Sequence, residues 1–127
     1  MLLDTHTLLW FLNNDSRLPV SVKQKTEQTE VVFVSVISIW EIAIKINIGK
    51  LNIAPSFEAI RESMNNLNIQ ELPIEFDDSI TYIGLPLLKE HKDPFDRMIV
   101  AQAIRRSLTL VSADKKLDAY PVNRLWE

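Results

Sequence analysis

The stretch of residues 93–114, DPFDRMIVAQAIRRSLTLVSAD, joins the most clearly predicted helix of the chain to a short apolar strand. Asp93 is a favoured N-cap and Pro94 suits the first helical position, so the helix is predicted to begin there. Residues 108–111 (LTLV) are apolar or β-branched and typical of a buried strand, which Asp114 follows closely. A helix that leads directly into such a strand is typical of an α/β protein.

The rest of the chain alternates in the same way. Strands are predicted at Met1–Leu3, Val31–Ser35, Ile69–Ile74, Leu108–Val111 and around Tyr120–Asn123. Helices are predicted at His6–Leu12, Val20–Gln28, Ser56–Leu67, Asp77–Leu88 with a break near Pro86, and Asp93–Arg106, with a short helix after Asp114. This alternation favours a single α/β domain, 1–127, with a mostly parallel sheet that helices cover on both faces.

The stretch SIWEIAIKINIGK, residues 38–50, carries two conflicting patterns. Isoleucine at every second position is typical of a strand. Ser38 and Glu41 instead have the spacing of a capping box, and Gly49 is a typical helix end. We interpret this stretch as a helix, whose isoleucine-rich face either packs in the core or lines a groove for a partner helix.

The composition excludes several classes of protein. The chain has 127 residues, no Cys, two Gly and two His. Without Cys there is no disulfide, thiol nucleophile or thiolate-bound zinc, and two glycines cannot form a Gly-rich phosphate loop. No apolar run is long enough for a membrane span, and the N-terminal stretch lacks the basic region of a signal peptide. We therefore expect no membrane association and a cytoplasmic location.

The charge is unevenly distributed along the chain. The net charge of −3 argues against a nucleic-acid partner. Residues 1–88 hold 6 basic and 11 acidic side chains, whereas residues 89–127 hold 8 basic and 6 acidic ones. The distribution therefore permits a nucleic-acid partner that the sum disfavours.

Five acidic residues stand at the boundaries of predicted elements. Asp4 ends the first strand, Asp114 follows the fourth, and Glu41 lies in the first turn of the helix after the second strand. Asp93 and Asp96 lie in the first turn of a later helix. In a parallel sheet the carboxyl ends of the strands share one edge, where ligands bind, so these side chains are predicted to converge there.

Each acid also has a purely structural interpretation. The aspartates suit helix N-termini, and Glu41 can pair with Lys45 or complete the capping box with Ser38. If they converge, however, two unit charges about 4 Å apart repel by roughly 4 kcal/mol at an effective dielectric constant of about 20. A hard divalent cation such as Mg²⁺ or Mn²⁺ relieves this repulsion, and an all-carboxylate site for such a cation indicates phosphodiester hydrolysis.

Four segments resemble a known family when they are taken in order. They are LLDTHTLLWFL (2–12), SVISIWEIAIKINIGKL (35–51), HKDPFDRMIVAQAI (91–104) and LTLVSADKKLDAY (108–120). Together they resemble the PIN-domain family, and within it the VapC-type toxin ribonucleases of bacterial toxin–antitoxin pairs. The resemblance implies a three-layer α/β/α sandwich with sheet order 3-2-1-4-5, and RNA cleavage with Mg²⁺ or Mn²⁺. It also implies a homodimer and an antitoxin protein that blocks the groove.

The resemblance assigns catalytic and metal-binding roles to four acids, namely Asp4, Glu41, Asp96 and Asp114. It makes Ser112 the hydroxyl partner of Asp114, and Thr5 a hydrogen-bond partner of a metal-bound water. Asp93 is expected to cap its helix and to act, if at all, through water. Arg97 is expected either to contact a phosphate or to lie on the surface.

Two further groups of residues are less distinctive. His6 and His91 flank the acidic segments and are both interpreted as surface residues. Seven basic side chains form either an RNA track or ordinary solvated surface: Lys45, Lys50, Lys89, Arg105, Arg106, Lys115 and Lys116.

Two other functions are compatible with an α/β chain of this length. A catalytically idle binding module keeps the fold alone, but the presence of all four acids disfavours it. A receiver-type signalling domain needs an acid pair after the first strand and an aspartate after the third. The segment IQELPI (69–74) is followed by no fitting aspartate, so this alternative is also disfavoured.

Overall fold

The computed structural model describes all 127 residues. Its strands are β1 (Leu2–Leu3), β2 (Val32–Ser35), β3 (Ile69–Leu72), β4 (Leu110–Val111) and β5 (Arg124–Leu125). Its helices are α1 (Thr5–Leu12), α2 (Val20–Gln28), α3 (Val36–Asn47), α4 (Glu58–Asn66), α5 (Phe76–Ile83) and α6 (Pro94–Arg105), followed by a 3-10 helix at Lys115–Ala119.

The five strands form one parallel sheet in the order β3-β2-β1-β4-β5, as expected. The central strand β1 pairs with β2 on one side and with β4 on the other, so Leu2 is opposite both Phe33 and Leu110. The chain therefore changes direction across the sheet at β1, and Asp4 follows directly at this switch point. A receiver-type domain has the order 2-1-3-4-5, so the observed order excludes that alternative.

The sheet separates two apolar cores. Successive residues of a strand face opposite sides, so even the two-residue strands contribute to both layers. Leu3 and Val111 pack in one core with residues of α1, α2 and α4, while Leu2 and Leu110 pack in the other with residues of α6. All four side chains are fully buried. No helix in the structure is long and apolar enough to cross a membrane.

The structure corrects several expected boundaries, and β3 (Ile69–Leu72) and β4 (Leu110–Val111) are both shorter than expected. Helix α5 ends at Ile83 rather than Leu88, because Gly84 forms its C-cap and Pro86 cannot continue the hydrogen bonding. The last strand is Arg124–Leu125 rather than Tyr120–Asn123. The N-cap of α3 is Ser35, whose hydroxyl accepts a 3.1 Å hydrogen bond from the backbone N–H of Ile37, so the capping box of Ser38 with Glu41 does not form.

Helices α5 and α6 are joined by a cluster of charged residues. Asp78 is fully buried, and Arg105 and Arg106 donate hydrogen bonds to its Oδ1 at 3.1 and 2.6 Å. Arg105 and Arg106 also contact Oε1 of Glu75 at 3.0 and 2.7 Å. Both arginines therefore make structural ion pairs, which favours the structural interpretation of these two residues over an RNA track.

Candidate metal centre

Asp4 and Asp114 lie side by side at the carboxyl edge of the sheet. Each caps the helix that follows: Oδ1 of Asp4 accepts from the backbone N–H of Thr7 at 2.9 Å, and Oδ1 of Asp114 accepts from that of Lys116 at 3.0 Å. The cap uses one oxygen of each carboxylate and leaves Oδ2 available. The structural and the functional interpretation of these aspartates are therefore both compatible with the structure.

Glu41 enters the same edge from helix α3 and is buried. Its Oε1 accepts a 2.6 Å hydrogen bond from the hydroxyl of Thr5, and its Oε2 lies 3.2 Å from the Nζ of Lys45. The hydroxyl oxygens of Thr5 and Ser38 are 3.0 Å apart. A buried carboxylate needs such donors, and here they hold Glu41 in one orientation.

Asp96 lies at the centre of the acidic group. Burial raises its pKa, and the negative charges of Asp93, Asp4, Glu41 and Asp114 raise it further, to about 7. Four other carboxylates therefore act on this one group, which is the convergence that the sequence predicts. Without a cation the folded chain disfavours a fifth negative charge at this point, so Asp96 keeps its proton to a higher pH than in the unfolded chain.

Two supporting residues hold the ends of these elements. Asp93 is exposed, and its Oδ1 accepts a 2.9 Å hydrogen bond from the backbone N–H of Phe95, as expected of an N-cap. Ser112 is fully buried, and its hydroxyl accepts a 3.1 Å hydrogen bond from the backbone N–H of Asp114. Ser112 therefore fixes the turn that carries Asp114.

The structure corrects both expectations for Arg97. Its side chain is neither on the surface nor free for a phosphate, since the residue is only 5% exposed. The guanidinium donates to the carbonyl of Pro86 at 2.9 Å and to the hydroxyl of Tyr120 at 3.0 Å, and it lies 5.1 Å from the ring centre of Tyr82.

His6 is exposed, as expected, but His91 is buried at the acidic group. Its Nδ1 lies 2.8 Å from the hydroxyl of Tyr120. Its Nε2 lies 3.5 Å from Oδ2 of Asp96 and 3.8 Å from Oδ2 of Asp114, and it makes no hydrogen bond. The only sequence signal for this placement is that His91 lies five residues before Asp96.

The donor set fits a hard divalent cation. One ligand atom from each of His91, Asp96 and Asp114 can be chosen so that all three lie within 4.8 Å of one another. The carboxylates supply oxygen, which such cations prefer, and their mutual repulsion favours a cation at this position. The carboxylates of Asp96 and Asp114 can therefore hold a metal ion, with His91 beside them.

The fold and the acidic pocket define an α/β/α protein with carboxylates at the switch point of a parallel sheet. The family model of the PIN domain matches residues 1–123. The chain belongs to the PIN domain family, which is a family of nucleases. Comparison with the curated proteins gives no match.

Solved structures share the fold over almost the whole chain. VapBC from Salmonella typhimurium bound to DNA is similar with a TM-score of 0.69 and 20% identity, over 98% of this chain and 95% of the other. VapBC2 from Rickettsia felis bound to a promoter DNA fragment has a TM-score of 0.66 and 14% identity, over 98% and 96%. FitAcB from Neisseria gonorrhoeae has a TM-score of 0.64 and 19% identity, over 98% and 96%.

Proposed function

We propose that this chain is a metal-dependent endoribonuclease that hydrolyses phosphodiester bonds of RNA. The observation that supports the proposal is that the negative charges of Asp93, Asp4, Glu41 and Asp114 all act on the half-buried Asp96. Oδ2 of Asp96 and Oδ2 of Asp114 also lie 3.5 and 3.8 Å from the same nitrogen, Nε2 of His91. The proposed ligands of Mg²⁺ or Mn²⁺ are the carboxylates of Asp4, Glu41, Asp96 and Asp114. A bound cation of this kind lowers the pKa of a coordinated water and offsets the charge that develops on phosphate oxygens.

The other residues of the site prepare it for that cation. Thr5 and Lys45 each engage one oxygen of Glu41, so its orientation is set before any ligand binds. The helix caps do the same for Asp4 and Asp114. Such preorganisation lets the protein bind the cation without ordering four mobile side chains.

An exposed lysine patch beside the acidic group supports a polyanionic substrate. Lys89, Lys115 and Lys116 are exposed and line one surface depression of about 450 Å³, in which His91 also takes part. Lysines in this position can contact backbone phosphates on either side of the bond to be cut. The choice of RNA over DNA follows from the resemblance to VapC-type ribonucleases.

The decisive experiment uses the purified chain and a defined RNA. We expect cleavage with Mg²⁺ or Mn²⁺, none with a chelator in excess, and little on DNA of the same sequence. A catalytically idle binding module would bind metal or partner without cleaving any RNA. Sequencing the ends of cellular RNA after induced expression identifies the cleavage site.

We further propose that the chain is the toxin of a toxin–antitoxin pair. A solved complex from Klebsiella pneumoniae with the same fold is a toxin–antitoxin complex. In this chain, an open groove of about 540 Å³ between α3, α4 and β3 has a mixed lining, with an apolar part that includes Ile39, Phe57 and Met64 and a polar part that includes Glu58 and Arg61. An amphipathic antitoxin helix fits a groove of this kind. Copurification with the product of a small upstream reading frame, weakened by Ile39→Asp, tests this assignment.

The proposed homodimer is supported by a different surface. Phe76, Ile80, Ile83 and Leu87 form a row along and just beyond α5, with exposures between 55% and 92%. Exposed apolar rows of this size mark interaction sites, and a two-fold pairing buries the same row on both copies. In sedimentation experiments, we expect the native chain to be a dimer and the Ile83→Glu variant to be a monomer. Val20→Glu, at an exposed valine of α2, is the matched control.

A further inference from the structure

We infer that His91 is a positioning residue that presents an Nε2–H group to the carboxylates of Asp96 and Asp114, and that Arg97 and Tyr120 fix its tautomer. The inference rests on the proposed metal site. It assigns His91 as a hydrogen-bond donor to the proposed ligands and not as a ligand itself.

The placement of His91 requires a role for its Nε2 atom. The residue is only 5% exposed, and its Nε2 atom makes no hydrogen bond within the chain. The two nearest acidic atoms are Oδ2 of Asp96 at 3.5 Å and Oδ2 of Asp114 at 3.8 Å. A buried ring nitrogen without a partner is uncommon, so its direction towards two proposed ligands is informative.

The hydrogen bonds behind the ring decide which nitrogen carries the proton. The hydroxyl of Tyr120 is in contact with the NH1 atom of Arg97 at 3.0 Å and with Nδ1 of His91 at 2.8 Å. A guanidinium can only donate, so Tyr120 accepts from Arg97. The hydroxyl proton of Tyr120 then has one acceptor, Nδ1 of His91. The neutral imidazole must therefore carry its own proton on Nε2.

In this tautomer Nε2 has no free lone pair for a metal, which favours another role. A ligating histidine uses the lone pair of one nitrogen and donates from the other. Here the lone pair faces Tyr120 and the N–H faces Asp96 and Asp114. An N–H group in this position faces one oxygen of each carboxylate, at 3.5 and 3.8 Å, and so favours orientations in which the other lone pairs point away from the ring.

The tautomer can be measured directly, because the chain has only two histidines. Long-range ¹H–¹⁵N correlation spectra of the metal-free chain are recorded at alkaline pH, where imidazole is neutral, and His6→Gln assigns the two rings. We expect Nδ1 of His91 to be unprotonated and Nε2 to be protonated. The reverse pattern overturns the inference. Tyr120→Phe removes the fixing donor and is expected to shift the ring towards the Nδ1–H form.

Metal binding provides the second readout, which does not depend on cleavage. By calorimetry with Mn²⁺ alone, His91→Leu is expected to lower the affinity about 10- to 100-fold at unchanged stoichiometry. His91→Gln, which keeps an N–H donor, is expected to recover part of that loss. Unchanged affinity in His91→Leu, or ¹⁵N hyperfine coupling between bound Mn²⁺ and His91, contradicts the inference.

The two proposals fail separately. If Mn²⁺ binds as expected but the native chain cuts no RNA, the proposed function is wrong and the assignment of His91 stands. If RNA is cut but the tautomer is reversed, the assignment of His91 is wrong. Thermal unfolding of each metal-free variant identifies any variant that does not fold. If His91→Leu does not fold, the tautomer in Tyr120→Phe and the Mn²⁺ affinity of His91→Gln provide the test.

Discussion

The hydroxyl of Thr5 donates a 2.6 Å hydrogen bond to Oε1 of Glu41, 36 residues further along the chain. The contact is buried and joins the first residue of α1 to the first half of α3. Because β1 and β2 are neighbours in a parallel sheet, the helices that follow them begin at the same edge. The contact therefore links two acidic segments that are far apart in sequence.

Thr5→Val removes this hydrogen bond with little change in shape. We expect the affinity for Mn²⁺ to fall about 10- to 100-fold, because a residue that orients a ligand is lost. The unpaired oxygen of Glu41 is also expected to cost about 1–3 kcal/mol in free energy of unfolding. Thr7→Val is the matched control: Thr7 is also buried on α1, but its hydroxyl donates to the carbonyl of Val111. Equal losses of Mn²⁺ affinity in both variants would falsify the role of Thr5.

Asp4→Asn is expected to abolish metal-dependent cleavage while the fold persists. Asparagine caps a helix about as well as aspartate, so the bond to the backbone of Thr7 is retained while the negative charge is removed. Cleavage of a labelled RNA and a thermal melt measure the two effects. Asp15→Asn, at a surface acid paired with Arg17, controls for loss of charge alone. Undiminished cleavage by the Asp4→Asn protein rules out the assignment.

The stability of the metal-free chain is expected to fall as the pH rises from about 4 to about 7. The pKa of Asp96 is raised from 3.8 to about 7, by burial first and by the neighbouring carboxylates second. Between these values the folded chain binds a proton that the unfolded chain releases, so the free energy of unfolding decreases with pH. Urea unfolding in a chelator across this range measures the slope.

Saturating Mg²⁺ is expected to remove that slope, since a cation keeps the carboxylates of the folded chain ionised, as they are in the unfolded chain. The gain in free energy of unfolding on adding Mg²⁺ is therefore larger at pH about 8 than at pH about 5. Asp96→Asn should flatten the slope of the metal-free chain. A native chain with a flat profile in chelator contradicts the proposed convergence of charge.

The cluster around Asp78 predicts the opposite behaviour in acid. Burial alone raises the pKa of Asp78, but hydrogen bonds from Arg106, from the backbone of Glu75 and from Arg105 outweigh it, and the pKa is lowered overall. The resulting stability is present above pH 3.8 and is lost as the pH falls through the lowered value. Asp78→Ala is expected to cost about 3 kcal/mol, because it leaves two arginine charges without their buried partner. Chemical unfolding at neutral pH measures this cost.

The lysine patch is expected to act on substrate binding and not on the metal. Lys115→Gln together with Lys116→Gln should raise KM for RNA and lower the salt dependence of binding by about one to two units of the log–log slope. Mn²⁺ affinity should be unchanged. Lys25→Gln is the control, because Lys25 is exposed on α2 near the opposite, amino-terminal edge of β2. If Lys25→Gln changes KM and the salt dependence by the same amount, the effect comes from net charge and not from the lysine patch.

The elements were largely predictable from local patterns, whereas the order of the sheet was predictable only from the resemblance to the PIN-domain family. The span Val20–Gln28 was predicted without error, and α6 was predicted to within one residue at each end, because Asp93 and Pro94 mark its start. The predictions were wrong for the C-terminal half of α5 and for the position of the last strand. Strand β5 has two residues, and its position depends on pairing with Leu110 and Val111 rather than on its own apolar pattern.

The sequence by itself determined which acids stand at the ends of elements, because capping and strand termination act on neighbouring residues. Only the tertiary structure decided what surrounds them. It placed Thr5 against Glu41, turned Arg97 inwards to Tyr120, and buried His91 beside Asp96. These contacts join residues on different elements, and their distances depend on how helices pack across a sheet edge. A short-range sequence pattern cannot encode that packing. His91, which we interpreted from the sequence as a surface residue, is therefore buried in the structure.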